Sequence, residues 1–205
     1  MNKYLIEVII HEIGHFIANE LNHRLFRTGE NISISIKGKL DQNGQLDFEG
    51  VIVSNVNKKS DDSTNWELLS PRIANLVYGC YFQCLFTKSL LNSCFEFGNG
   101  NLRGARDRQM FMGVFPRSFE RNNREDTEAF IYSFFQELSD ARDKFEPIFQ
   151  IDLNQILVDT EDAKIESYTI DILKLREIIS PFIESHQDRF IKFHQGIEEI
   201  KSSIT

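Results

Sequence analysis

The sequence predicts a mainly α-helical protein with a small β-sheet, an α+β fold in which helices predominate. Most of the chain carries apolar residues at the three- and four-residue spacing of an amphipathic helix. Only the region 32–55 alternates polar and apolar residues, and it contains Asn43-Gly44, a pair typical of a tight hairpin turn. Hydrophobic residues make up 41% and charged residues 26% of the 205 residues, the composition of a packed globular protein. We therefore expect one domain over 1–205, with a core at 1–115 and a helical C-terminal part at 116–205.

The N-terminal part is predicted to contain a helix, a hairpin and a second long helix. Residues 2–22 carry an apolar stripe at helical spacing and form the first helix. The segments 32–37 and 47–55 form the two strands of the hairpin, which lies near the first helix. The strongly apolar segment 66–92 is helical, with a break near Ser70-Pro71, because proline is favoured in a first helical turn.

The remainder of the chain is predicted to consist of loops and helices. Polar residues at 57–65 and glycines and asparagines at 97–104 indicate loops, and residues 105–115 begin another helix. From about residue 125 the pattern is helical to the end. Breaks in this helical part are expected near Pro147, around Val158–Asp162 and just before Pro181.

Charge and cysteine content exclude several classes of function. A net charge of −8 disfavours binding to phosphate backbones, so no nucleic-acid partner is expected. No run of 18 apolar residues predicts a membrane span, and the N-terminus does not resemble a signal peptide. The 3 cysteines include no CxxC pair, which favours free thiols in a reducing cytoplasm. Cys80 and Cys84 share a helix face, where buried packing is favoured over a metal role.

The residues with the clearest chemistry are His11, Glu12 and His15, which form an H-E-x-x-H motif within the first predicted helix. Four residues are close to one helical turn, so both imidazoles project from one face and can bind one Zn²⁺. Glu12 is placed to reach a metal-bound water, whose proton it would accept and later deliver to the leaving amine. Gly14 lowers helix stability, by about 1 kcal/mol relative to alanine, which suggests a close approach of another element there.

A catalytic zinc ion usually has a third protein ligand and an open fourth position. The extended metzincin motif would require histidine at position 21, which is Leu21. His23 is out of register, and His186 and His194 lie in a distant acidic helix where we expect them to be solvated. The motif alone therefore leaves the third ligand open, with aspartate or glutamate elsewhere in the chain as candidates.

The order of motifs resembles the peptidase domain of FtsH-type AAA proteases, a zincin-like fold. This family carries H-E-A-G-H on a helix, then a short sheet, a helix with a G-G-R-x-A-E-E pattern, and a Gly-rich loop before a helix that supplies an Asp ligand. The chain offers HEIGH at 11–15, a strand at 47–53, Pro71-Arg72-Ile73-Ala74-Asn75, and a Gly-rich stretch at 98–104 that leads to Asp107. The resemblance extends over residues 1–115.

The resemblance implies that Asp107 is the third zinc ligand. Asp126 remains the alternative, because the step from Gly104 to Asp107 is one residue shorter than the usual step in the family. Gly50 in the second strand indicates one of two features. Either the backbone of a substrate chain approaches closely and adds along this edge, or the strand contains a β-bulge at this position.

We therefore expect a zinc-dependent endopeptidase that cleaves unfolded or flexible polypeptides, with Glu12 as the catalytic base. No ATPase segment is recognised, so a separate ATPase is a candidate partner, and the oligomeric state stays open. One alternative is a non-catalytic peptide-binding or regulatory module on a peptidase-like scaffold. Another, weaker one is a zinc hydrolase that acts on a bond other than a peptide bond.

Overall fold

The computed structural model describes residues 2–40, 43–44, 46–55, 66–95, 104–115, 121–160 and 166–203. Over these residues the fold is mainly helical with one small antiparallel sheet, so the predicted fold class is confirmed. The helices are α1 (Lys3–Phe26), α2 (Leu69–Thr87), α3 (Asn92–Phe95), α4 (Ala105–Val114), α5 (Arg121–Asp140), α6 (Glu146–Phe149) and α7 (Ile172–Ser202). The strands are β1 (Glu30–Leu40), β2 (Leu46–Asn55), β3 (Leu157–Asp159) and β4 (Ser167–Ile170). The loops predicted at 57–65 and 97–103 lie outside the described residues.

Helix α1 follows the predicted apolar stripe and continues to Phe26, four residues beyond the expected end. Asn2 caps its start, because the side-chain oxygen of Asn2 accepts a hydrogen bond from the backbone N–H of Tyr4 at 2.9 Å. The helix ends where Arg27 adopts a left-handed conformation with φ 55°. Its apolar residues are buried and form the centre of the core, except the exposed Tyr4 and Phe26 and the partly buried Ile6 and Leu25.

The sheet has the strand order β2-β1-β4-β3, and all neighbouring strands are antiparallel. The β1–β2 hairpin is confirmed, and its pairing is continuous through Gly50, which lies opposite Ile36. The irregularity in register occurs instead between Asn31 and Ser33. Among the described strands, β2 therefore forms one edge of the sheet, with its inner face against α1.

The helical pattern predicted from about residue 125 missed β3 and β4, although β3 lies at the break that was predicted around Val158–Asp162. These strands contain three and four residues, too few to show an alternating pattern. Strand β4 is stabilised by pairing with β1, which lies more than 120 residues earlier in the chain. Such pairing depends on tertiary structure rather than on local sequence.

Helices α1 and α2 cross closely at two glycines. A Cβ atom on Gly14 would lie 2.5 Å from the carbonyl oxygen of Tyr78 and 3.0 Å from the Cα atom of Gly79. The close approach predicted at Gly14 is therefore confirmed, and the approaching element is α2. The predicted break near Ser70-Pro71 is also confirmed, since a short 3-10 turn at Trp66–Leu68 precedes α2.

Helix α7 runs unbroken through Pro181, so the break predicted before this residue was wrong. Pro181 is exposed, and the carbonyl group that lacks a helical partner there can bond to water. The predicted solvation of His186 and His194 was also wrong, because these side chains are only 2% and 5% exposed. Both rings pack among phenylalanines of the core.

Aromatic side chains make up much of the core. Tyr78 and Tyr81 on α2 contact the ring of Phe193 on α7 at centroid distances of 5.9 and 6.4 Å, and Phe134 on α5 contacts it at 5.1 Å. These edge contacts fix α2, α5 and α7 against one another. None of the described helices is long and apolar enough to cross a membrane.

Candidate metal centre

Three predicted ligands converge at one point. His11 and His15 lie one turn apart on α1, and their Nε2 atoms are 2.9 Å apart. The Oδ2 atom of Asp107, in the first turn of α4, lies 3.0 Å from His11 Nε2 and 3.4 Å from His15 Nε2. The structure therefore brings His11, His15 and Asp107 together. It does not bring Asp126 to them, because this residue is exposed on α5.

The hydrogen bonds of the two imidazoles suit a bound cation. His11 Nδ1 lies 3.1 Å from Gln83 Oε1, and His15 Nδ1 lies 2.5 Å from the backbone carbonyl oxygen of Asn75. Both partners only accept, so each Nδ1 carries the hydrogen and each Nε2 presents a lone pair. Two lone pairs and a carboxylate oxygen at such short range repel one another unless a cation lies between them.

The spacing and chemistry of these donors fit zinc. Two atoms that each lie about 2.0–2.1 Å from a tetrahedral zinc ion are about 3.3 Å apart, close to the observed 2.9–3.4 Å. Two imidazoles and one carboxylate form a ligand set used in catalytic zinc sites, which keep one position open.

In the absence of a metal, a proton would supply the positive charge that the two ring nitrogens and the carboxylate oxygen require. Burial lowers the pKa of His15, but the negative charge and hydrogen bond of Asp107 and the charge of Glu12 raise it to about 9. Burial raises the pKa of Asp107, and the charge of His15 with hydrogen bonds from both histidines brings it well below its ordinary value. A positive charge is therefore stabilised where the three side chains meet.

Glu12 lies beside these residues and against the backbone of β2. A Cβ atom on Gly50 would lie 2.3 Å from Glu12 Oε1, so only glycine leaves room for this carboxylate. Among the described residues no side chain or backbone group forms a hydrogen bond or ion pair with Glu12. The carboxylate is therefore available to a molecule that enters the site.

The site opens into a cavity of about 610 Å³, a volume typical of ligand-binding clefts. Residues of α1 form its floor, including His11, Glu12 and His15. Strand β2 lines it as well, and α2 and α4 contribute the apolar residues Leu76, Ala105 and Met110. The two imidazoles thus face an open cleft rather than a dry interior.

Two residues that position the centre were not predicted from the sequence. A Cβ atom on Gly79 would lie 2.4 Å from His15 Nε2 and 2.8 Å from His11 Nε2, so the α2 backbone passes directly beneath both rings. Gln83, one turn later, is the acceptor for His11 Nδ1. The sequence signals for these roles are a glycine and a glutamine within the apolar stretch that follows Asn75 on α2.

The remaining candidates are not among the three ligands, although the Cys80 and Cys94 sulfur atoms lie within 4.8 Å of a ring nitrogen of His11. Cys80 and Cys84 are buried as predicted, and burial raises the pKa of the Cys80 thiol to about 11. His23 is partly exposed and forms an ion pair with Glu30 at 3.3 Å, whereas His186 and His194 lie in the core of α7. Comparison of the chain with family models, with curated proteins and with solved structures gave no match.

Proposed function

We propose that the protein is a zinc-dependent endopeptidase that cleaves unfolded or flexible polypeptides. The observation that carries the proposal is the convergence of His11 Nε2, His15 Nε2 and Asp107 Oδ2 in an open cleft beside the Glu12 carboxylate. These residues suit a metal ion that must keep a position open for a reactant.

The chemistry would divide between the metal and the side chains of the cleft. A zinc ion held by the three ligands would polarise the scissile carbonyl group and lower the pKa of a water molecule. Glu12 accepts a proton from the attacking water at its carboxylate oxygen and returns it to the nitrogen of the leaving amine. Asp107 balances positive charge in the site, and Gln83 and the Asn75 carbonyl orient the two imidazoles.

The edge of the sheet supports an extended substrate. Strand β2 lies at the edge of the described sheet, and its residues 47–52 line the same cavity as Glu12. The unpaired backbone groups of an edge strand can bind a peptide as an additional strand. An extended peptide bound there would pass next to the metal ligands, whereas a folded protein could not present its backbone in this way.

The resemblance to FtsH-type peptidases supports the same reaction, and it suggests that a separate ATPase delivers substrate. Asn75 stands where that family carries an acidic residue, and the Asn75 amide oxygen accepts a hydrogen bond from Asn22 at 2.7 Å. The three free cysteines fit a reducing cytoplasm. A non-catalytic peptide-binding module remains the alternative outcome of the test below.

The variant Glu12→Gln tests the proposal, because it keeps the shape of the side chain and removes the base. We expect hydrolysis of an unfolded casein-like chain to fall by about 10²–10⁴-fold, while zinc remains near one per chain. Glu7→Gln, on the same helix and paired with the exposed Lys3 at 3.7 Å, is the matched control and keeps full activity.

Two results would count against the proposal. Hydrolysis that persists in Glu12→Gln would exclude Glu12 as the base. Zinc-loaded wild-type protein that binds unfolded chains without cleaving them would favour the non-catalytic module.

A further inference from the structure

Gln83 occupies an unusual position for an amide side chain. It is only 7% exposed, on a helix whose neighbouring residues are apolar. Its Oε1 atom lies 3.1 Å from His11 Nδ1 and 3.1 Å from the thiol sulfur of Cys94. One carbonyl oxygen thus accepts from an imidazole N–H and from a thiol S–H, which uses both of its lone pairs.

The end of the amide that faces His11 decides which nitrogen of this histidine can bind a metal. An oxygen opposite Nδ1 favours a hydrogen on Nδ1, which leaves the Nε2 lone pair, on the atom that faces His15 and Asp107, for a metal ion. Without a metal, Asp107 Oδ2 lies 3.0 Å from Nε2 and competes as an acceptor for the same hydrogen. An amide turned by 180° would present its NH₂ group to Nδ1. The hydrogen of a neutral His11 would then sit on Nε2 and would block the metal position.

Cys94 favours the first orientation. A thiol is protonated at neutral pH and acts as a donor, and Cys94 is buried beside Gln83. Its S–H group is satisfied by an oxygen, whereas a turned amide would oppose two donors in a buried space. The other two thiols, Cys80 and Cys84, lie beside the Cys94 thiol, and Cys84 also donates to the backbone carbonyl of Leu90 at 3.5 Å.

We propose that Gln83 is a positioning residue that selects the metal-binding tautomer of His11, and that the Cys94 thiol in turn fixes the orientation of the Gln83 amide. The proposal rests on the metal site described above and concerns how that site is kept ready for an ion. It assigns a role to two residues that contact neither substrate nor metal.

The tautomer of His11 is measured by long-range ¹H–¹⁵N NMR of the metal-free Asp107→Ala protein at alkaline pH, because this background removes the acceptor that competes for the hydrogen at Nε2. We expect the Nδ1–H form in this background and a mixture of both forms when Gln83→Leu is added. Gln83→Glu in the same background keeps an acceptor and should restore the Nδ1–H form. An Nε2–H form of His11 in Asp107→Ala, or an unchanged tautomer when Gln83→Leu is added to the folded protein, would overturn the proposal.

Zinc affinity, measured by competition with a chromophoric chelator, provides a second readout. We expect a loss of about 10–100-fold in Gln83→Leu and a smaller loss in Cys94→Ala. Cys94→Ser retains a donor and should bind zinc as the wild type does.

These measurements separate this inference from the proposed function. Equal zinc affinity in Cys94→Ala and Cys94→Ser would refute the role of Cys94, even if Gln83→Leu failed to fold. The predicted tautomer and affinity changes in a protein that cleaves no peptide would support the positioning role and refute only the peptidase. Peptide hydrolysis and zinc affinity at wild-type levels in folded Gln83→Leu would refute only the positioning role.

Discussion

Glycine residues determine how closely the backbone approaches the reactive side chains. At position 50 the missing side chain lets the Glu12 carboxylate lie against β2, and at position 79 it lets both imidazoles lie over α2. At position 14 it lets the helix that carries the histidines contact α2. The position of the base and of both imidazole ligands therefore depends on three residues that supply no chemistry of their own.

The variant Gly50→Ala should displace Glu12, because the added Cβ would lie 2.3–2.4 Å from three of its side-chain atoms. We expect peptide hydrolysis to fall by about 10²-fold, since small displacements of a catalytic group are costly. Zinc content should stay at the wild-type level, because the ligands are unchanged. Activity and zinc are measured on the same preparation.

Gly113→Ala is the matched control for this variant. Nothing lies within 4 Å of a Cβ atom at this exposed helical position, so the substitution should stabilise α4 by about 0.5–1 kcal/mol without loss of activity. Full activity in Gly50→Ala would show that the position of Glu12 is not limiting.

At the scale of single residues, the sequence predicts those members of the site that lie close together in the chain. His11, Glu12 and His15 follow from helical geometry alone, because they lie within five residues. Asp107 required the resemblance to a family, since nothing local connects it with a helix 92 residues earlier. Gln83 and Gly79 could not be predicted, because their roles arise from the crossing of two helices.

At the scale of elements, α7 encloses two neutral histidines in the aromatic core. Burial lowers the pKa of His186 from 6.5 to about 3, with a further contribution from the charge of Arg189. Burial alone lowers the pKa of His194 from 6.5 to about 3. Both rings are therefore neutral in the folded chain, and protonation opposes folding.

This arrangement predicts that acid destabilises the fold. Between pH 6.5 and about 3 each imidazole binds fewer protons in the folded than in the unfolded chain. Unfolding therefore takes up protons, and the free energy of unfolding falls as the pH is lowered through this range. His186→Gln keeps an acceptor for the Tyr78 hydroxyl but cannot titrate, so its stability should fall less steeply with decreasing pH.

Urea unfolding at several pH values between 7 and 4 measures this difference. The control is Gln195→Ala, since Gln195 is exposed on the same helix and carries no titratable group, so the slope should not change. Equal slopes in the wild type and His186→Gln would contradict a neutral, buried His186.

Long elements were predicted better than short ones. The apolar stripes of α1 and α2 and the Asn-Gly turn of the hairpin extend over enough residues to be recognised. Strands β3 and β4 were missed, because both are short and β4, which pairs with β3, depends on pairing with β1 far away in the chain. The continuity of α7 at Pro181 was missed, because the exposure of the unpaired carbonyl depends on how the helix packs.

At the scale of the whole molecule, the proposed metal would link α1 to α4, elements that are distant in sequence. A ligand that binds only the folded chain stabilises it by about 4 kcal/mol when its free concentration is a thousandfold above Kd. For a chain of this size we expect zinc to raise Tm by about 8–16 °C. Asp107→Ala should lose most of this increase.

Asp126→Ala is the control, because Asp126 is exposed on α5 and away from the histidines. It should retain the full zinc-dependent increase in Tm, which is measured by thermal unfolding with zinc and after removal of zinc by a chelator. If the increase were instead lost in Asp126→Ala and kept in Asp107→Ala, the third ligand would be Asp126 and not Asp107.

The central claim is that two imidazoles and one carboxylate hold a single divalent ion in the cleft. Anomalous diffraction at the zinc edge from a crystal of the zinc-loaded protein tests it most directly. The account predicts one strong peak about 2.0–2.1 Å from both Nε2 atoms and bonded to a carboxylate oxygen of Asp107. A zinc-loaded crystal with no peak between His11 and His15, or with its peak at other side chains, would contradict it.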